Sequence, residues 1–264
     1  MTFHELIEAV RRDPSSVVVP STWGQGRAGY GGLVAALVYE AMRAQVPADR
    51  PVRSLAITFV GPLQVEKPAR YEAEVLREGR AVSQVLGRAV QDDQVVAIVQ
   101  GSFGASRPSQ IDVSGLPAPA MPAPADCQAR PFVSGLMPEF VRYLELCWGE
   151  GGLPFSNNRS PYLGGWVRFQ DLHDQPIGVA ELLGLVDAWP PAVLPHLDHF
   201  ARSSSLTWTI EFVQPQPALS SEDWCLYRAH IEHARDGYGH VSAGLWSPAG
   251  ELIAMSRQTV TVFG

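Results

Sequence analysis

WGQGRAGYGGLVAALVYEAM (Trp23–Met42) joins a glycine-rich turn to a run that is apolar on nearly every side. Gly24, Gly26 and Gly29 have the spacing of a dinucleotide-binding turn and follow the strand-like SSVVVP (Ser15–Pro20). A nucleotide fold would continue with an acidic residue after the next strand and with further βαβ units. Here SLAITFV (Ser54–Val60) runs into Gly61-Pro62, and the turns that follow are of hairpin length. The dinucleotide reading fails on this context. Two readings of the glycines remain. They allow close packing at a helix entry, or they leave the N–H groups of Gly31 and Gly32 uncovered to bind a carbonyl or oxyanion.

The helix itself has no polar face, so it must be buried. Four strand-like segments follow it: RSLAITFVGPL, RYEAEVLREGR, SQVLGRAVQDD and QVVAIVQGSFGA. The second half repeats that order, with the helix GVAELLGLVDAW and then SSLTWTIEFVQP, WCLYRAHIEHARDG, GHVSAGLWSPAG and ELIAMSRQTVTVF. The joints match too: Phe59-Val60-Gly61-Pro62 beside Phe212-Val213-Gln214-Pro215, Tyr71 beside Tyr227, Ala97 beside Ala254. Such self-similarity indicates duplication. Turns as short as Gln91-Asp92-Asp93 connect antiparallel strands, because parallel strands need long crossovers. The expected fold is α+β: two tandem hot dog repeats, each a central helix wrapped by an antiparallel sheet. The proline-alanine stretch LPAPAMPAPA (Leu116–Ala125) has the composition of a stiff connector. It divides the chain into an N-terminal unit (1–115), a linker (116–130) and a C-terminal unit (131–264).

The 264 residues are 46% hydrophobic and 18% charged, as expected of a globular protein rather than a disordered one. A net charge of -7, without any Lys/Arg run, argues against a phosphate-backbone partner, so no nucleic acid is expected. No apolar run is long enough to span a bilayer, and MTFHELIEAVRRDPSS reads as an amphipathic helix rather than a signal peptide. Cys127, Cys147 and Cys225 are odd in number and never form a CxxC pair, so neither a disulfide framework nor a zinc site is expected. A cytoplasmic protein with no metal and no cofactor is the expectation.

Asp187, in the apolar LLGLVDAWPP, is the first candidate for a general base: burial would raise its pKa, and a carboxylate beside a thioester could take a proton from water. The alternative is a solvated Asp at the helix end before Pro190-Pro191. A period of two would place Ser205, Thr207 and Thr209 on one strand face, with Leu206, Trp208 and Ile210 on the other. Gln258, in the last strand, can both donate to and accept from a water. Other schemes fare worse. No GxSxG elbow occurs. His230 and His233 would point to opposite faces, and His196 and His199 lie in a proline-flanked loop. Cys225 sits in an apolar strand and reads as a buried, inert thiol.

In the order of these motifs, from GYGGLVAALVYEAM through RSLAITFVGPLQ to LVDAWPP, SLTWTIEFVQP and GELIAMSRQ, the chain resembles the acyl-CoA thioesterase II family over nearly its whole length. Members of that family are double hot dog proteins that hydrolyse acyl-CoA to fatty acid and CoA. The resemblance implies that Asp187, Gln258 and a hydroxyl, Ser205 with Thr207 as the alternative, hold the attacking water. Tyr30, Gly31 and Gly32 are then expected at the substrate, and a homo-oligomer, dimer or higher, is expected. By the internal repeat, the first-half counterparts are Ala41 (or Glu40, one register away), Val52 and Gly101, so one active site per chain is expected. The rival readings are a hydratase or dehydratase acting on acyl thioesters, which would need a His in its acid-base pair, and a protein that binds acyl-CoA without cleaving it. Acyl length stays open, as does the metabolic setting, whether fatty acid, polyketide or aromatic acid.

Overall fold

The computed structural model describes residues 1–170, 172 and 175–263. Helix α1 (Phe3–Arg12) starts at Thr2, whose hydroxyl accepts from the Glu5 N–H while the Glu5 carboxylate accepts from the Thr2 N–H. This reciprocal cap satisfies two donors that the helix start leaves open. Its apolar face, Phe3, Leu6, Ile7 and Val10, is buried, with the Phe3 ring against Phe169 and Trp23.

The central helices are α2 (Gly31–Arg43) and α3 (Val179–Val186). Every residue of α2 from Gly32 to Met42 is buried, as its unbroken apolar surface requires. The first half contributes β1 (Val52–Phe59), β2 (Pro68–Glu78), β3 (Val82–Gln91) and β4 (Gln94–Gly104). The second half contributes β5 (Leu144–Glu150), β6 (Tyr162–Phe169), β7 (Arg202–Phe212), β8 (Cys225–Arg235), β9 (Tyr238–Trp246) and β10 (Leu252–Phe263). They form one antiparallel sheet in the order β2-β3-β4-β1-β7-β10-β9-β8-β6-β5. Two-residue strands at Val17–Val18 and Gln128–Ala129 bring it to 12 strands. The fold is a double hot dog: the repeat-related β1 and β7 meet at the centre, Ile57 opposite Trp208 and Leu55 opposite Ile210.

Three local expectations change. SSVVVP supplies only Val17 and Val18 to the sheet edge. The segments of β5 and β6 carry no period-two signal, and Gly164 and Gly165 interrupt the second of them. A Cβ on Gly164 would stand 2.3 Å from the Tyr227 carbonyl, and one on Gly165 would stand 2.0 Å from that of Cys147. The crowding of β6 between its neighbours explains glycines that weaken a strand pattern. Finally, α3 ends at Val186, before Asp187.

The proline-alanine segment lies against the second half, where the indole N–H of Trp246 donates to the Leu116 carbonyl and that of Trp166 to the Pro122 carbonyl. Among the described residues no helix is long and apolar enough to cross a membrane.

Candidate active site

Asp187 is the C-cap of α3, so it stands at a helix end, as the alternative reading had it, yet it is half-buried rather than open to solvent. The start of α2 covers it. The Gly32 N–H donates to its carboxylate, and a Cβ on Gly31 would lie 2.9 Å from its Oδ2. Burial pushes the carboxyl up to about 7, while the bonds from Gln258 and Gly32 hold it down.

Gln258 Nε2 donates to Asp187 Oδ1 at 2.8 Å, and Ser205 Oγ donates to Gln258 Oε1 at 3.4 Å. An ionised carboxylate only accepts, so the amide must turn its NH2 to Asp187 and its oxygen to Ser205. Helix α3, β7 and β10 thus bring together three residues that are distant in sequence.

Ser205 reaches this cluster through a β-bulge. On β10, Ser205 pairs with Val260 and Thr207 with Thr259, so Leu206 is an extra residue. Past the bulge, Trp208 pairs with Gln258, and Trp208, Ile210 and Phe212 are buried. Ser205 and Trp208 therefore share the inner face, while Thr207 and Thr209 are exposed on the outer one. The uniform period of two along SSLTWTI does not hold, and Thr207 is ruled out as a partner of Gln258.

The same irregularity recurs in the first half: Val52 pairs with Phe103 and Ser54 with Ser102, which skips Arg53, and Leu55 pairs with Gly101. Val52 and Gly101 thus match Ser205 and Gln258. Neither bears a polar side chain, and Met42 Cε would come within 2.6 Å of a Cβ on Gly101. Nearby Glu40 is buried and accepts from Arg11 Nε at 2.8 Å.

Tyr30 points into the interior of the protein. It is fully buried, its hydroxyl donates to the Gly184 carbonyl in α3, and its ring stacks on Phe140. Gly32 is likewise committed, because its N–H serves Asp187 and a Cβ there would lie 2.8 Å from the Leu183 carbonyl. Gly31 keeps its place beside the carboxylate, and as the first helical residue its N–H has no intrahelical acceptor.

Burial raises the Cys225 thiol to about 12, which keeps it protonated. A second bulge, between Ile231 and His233, puts His230 and His233 on the same face rather than on opposite ones, but His230 stacks on Tyr162 and His233 on His240. His196 Nε2 is 2.9 Å from the Ser160 carbonyl. Among the described residues no group of three His, Cys, Asp or Glu is placed to hold a metal ion.

Two aromatic residues beside the cluster escaped the sequence reading. Trp189 and Tyr227 line a small cavity that Gln258 also borders. Trp189 stood two positions after Asp187 in DAWPP, whereas Tyr227 was visible only as a marker of the repeat. A roomier cavity of about 550 Å³ lies at the sheet edge, bounded by Gln128, Arg130, Trp148 and Asn158. None of Asp187, Ser205 and Gln258 lines it.

Residues 19–104 match the model of an acyl-CoA thioesterase N-terminal domain, and residues 124–262 match that of an acyl-CoA thioesterase C-terminal domain. No curated protein matches the chain by sequence. Among solved structures, a hot dog protein of unknown function from Alicyclobacillus acidocaldarius is similar at a TM-score of 0.81 and 22% identity, over 97% of this chain and 98% of that one. The TesB protein of Mycobacterium avium subspecies paratuberculosis gives 0.73 and 18%, over 98% and 100%. An acyl-CoA thioesterase II from Mycobacterium marinum gives 0.68 and 19%, over 94% and 93%.

Proposed function

The chain belongs to the acyl-CoA thioesterase family, a family of thioester hydrolases, and from that premise we propose that it cleaves acyl-CoA by direct attack of a water that Asp187 deprotonates. The observation that carries this reading is a half-buried carboxyl whose pKa is raised to about 7, bonded at 2.8 Å to an amide whose other end meets a hydroxyl. A base with that pKa is both sufficiently ionised and sufficiently basic at neutral pH. In this reading Gln258 and Ser205 orient the water, whose oxygen bonds to the thioester carbon while its proton passes to Asp187. The Gly31 N–H, at the positive end of α2, faces the negative charge that grows on the carbonyl oxygen. The tetrahedral intermediate then expels CoA thiolate, which takes up the proton, and the free acid remains.

Neither α2 nor α3 contains a histidine, so a hydratase acid-base pair has no source in the central helices. Thiol release from a panel of acyl-CoAs, short to long and aromatic, compared between wild type and Asp187→Asn, tests the proposal. Hydrolysis that vanishes in the variant supports it. Full hydrolysis by the variant overturns the assignment of Asp187, and tight binding without turnover by wild type points to an acyl-CoA-binding protein.

A further inference from the structure

Tyr30 ties the two central helices together beside the carboxylate of the candidate site. Helix α3 ends in a loosened turn: the Asp187 N–H reaches the Leu183 carbonyl at 3.3 Å, and the Ala188 N–H turns to that of Leu185 at 3.4 Å. The Gly184 carbonyl is thereby one of those that a helix end leaves without an intrahelical partner. The Tyr30 hydroxyl donates to it. Tyr30 is also the residue from which α2 starts, since its carbonyl accepts from the Val34 N–H at 3.0 Å and its N–H donates to the Trp23 carbonyl at 2.9 Å. Its ring is fully buried and stacks on Phe140 with centroids at 3.8 Å.

A Cβ on Gly32 would meet the Tyr30 hydroxyl and the Leu183 carbonyl, each at 2.8 Å, so the helices cross here closely enough to require glycine. With its hydroxyl on Gly184 and its backbone opening α2, Tyr30 sets how the Gly32 N–H meets the carboxylate of Asp187, three residues beyond Gly184. That N–H favours the ionised carboxylate, whereas burial opposes it. The titratable groups facing Asp187 are the phenols of Tyr30, at the start of α2, and Tyr227, on β8. Burial keeps both protonated, so neither brings a charge. From the other elements, β10 presents the neutral amide of Gln258, and β1 presents the Phe59 ring beside Gly31.

We propose that Tyr30 is a positioning residue for hydrolysis: its hydroxyl, acting through the Gly184 carbonyl, holds the Gly31 and Gly32 N–H groups in place around the Asp187 carboxylate. The proposal rests on the thioesterase reading and extends it to a residue set back from the reacting atoms. A neutral hydrogen bond is worth at most about tenfold, so without this one kcat at neutral pH should fall about three- to tenfold. A weakened Gly32 N–H bond favours the protonated acid, so the Asp187 pKa should move up by about 0.5–1.

Tyr30→Phe removes the hydroxyl and keeps the ring stack, and two measurements test it. Acyl-CoA hydrolysis across the pH range gives kcat and KM. NMR titration of the aspartate carboxyl carbons gives the Asp187 pKa without substrate, its signal assigned by loss in Asp187→Asn. A lower kcat, an unchanged KM and a raised pKa are expected. Tyr143→Phe is the control, because it removes a hydroxyl bonded to Thr22 Oγ1 at 2.7 Å from a ring stacked on Trp23 in the same aromatic cluster. It should lower stability without moving the pKa or kcat. Phe140→Leu loosens the Tyr30 ring but keeps its hydroxyl, and as a second probe it should move the pKa in the same direction. A Tyr30→Phe protein that melts earlier yet keeps the wild-type pKa and kcat overturns the proposal, because the bond is then a packing contact only. If wild type hydrolyses no acyl-CoA, the hydrolase reading fails and the titration alone judges the positioning: an upward shift upholds it, and no shift overturns it.

Discussion

Ser205 and Trp208 stand three residues apart on β7 yet face the same side of the sheet, because the bulge at Leu206 inserts one residue between their partners Val260 and Gln258. That single insertion turns a serine hydroxyl inward, to the amide that holds Asp187.

Ser205→Ala should therefore slow hydrolysis about tenfold, the worth of one neutral hydrogen bond to the water or its amide. Thr207→Ala, on the outer face, should leave it unchanged. Thiol-release kinetics of the two variants side by side decide the point, and a larger loss from Thr207→Ala would reverse the assignment.

Asp187→Asn should lower kcat by about 10²- to 10⁴-fold, the usual contribution of a positioned base, while KM changes little. It should also make the protein more stable at pH 8. The native carboxyl titrates near 7 against an ordinary value of 3.8, so folding binds a proton between those values. The stability this gives is fully present below about pH 4 and is lost as pH rises through 7. The amide escapes that loss, with an upper bound of roughly 4 kcal/mol at high pH. Melting temperatures of the two proteins should converge near pH 4 and separate at pH 8.

The pH dependence of kcat should rise through an apparent pKa near 7 and level off above it, as a base requires. Gln258→Ala removes a hydrogen bond that favours the ionised form, so the residual activity should show this pKa moved upward. A flat profile from pH 5 to 9 would contradict Asp187 as the base.

Gly31→Ala should cut kcat at least tenfold although alanine favours a helix. Its methyl would stand 2.9 Å from Asp187 Oδ2 and 3.2 Å from the Phe59 ring, which forces the carboxylate to move. Gly61→Ala, with nothing within 4 Å, is the control and should be silent in the same assay.

Glu40→Gln should leave turnover intact if the chain has one active site, because the surrounding positions are Val52 and Gly101, and Arg11 already occupies the carboxylate. Arg11→Ala should lower stability by about 1–2 kcal/mol, below the usual cost of breaking a buried pair because Arg11 is half exposed. Urea melting measures the second effect, and acyl-CoA hydrolysis the first.

The architecture was legible in the order of residues. An apolar helix must be buried, hairpin turns impose antiparallel strands, and the order of motifs occurs twice; each is a local or repeating signal that needs no knowledge of distant contacts. The sequence also singled out Asp187 and Gln258, one as a charge in an apolar run and both by family resemblance. The remaining features depend on contacts between distant segments. Which hydroxyl faces Gln258 depended on one extra residue in a strand, and a bulge leaves no mark in a row of serines and threonines. Whether Asp187 was solvated depended on the start of α2, more than 150 positions away in the chain, closing over a helix end. Tyr30 looked like a pocket residue from its glycine neighbours, yet the crossing of α2 and α3 turned its hydroxyl to the Gly184 carbonyl. Burial and strand register are properties of the partners a residue meets, and those partners are set only when the chain closes.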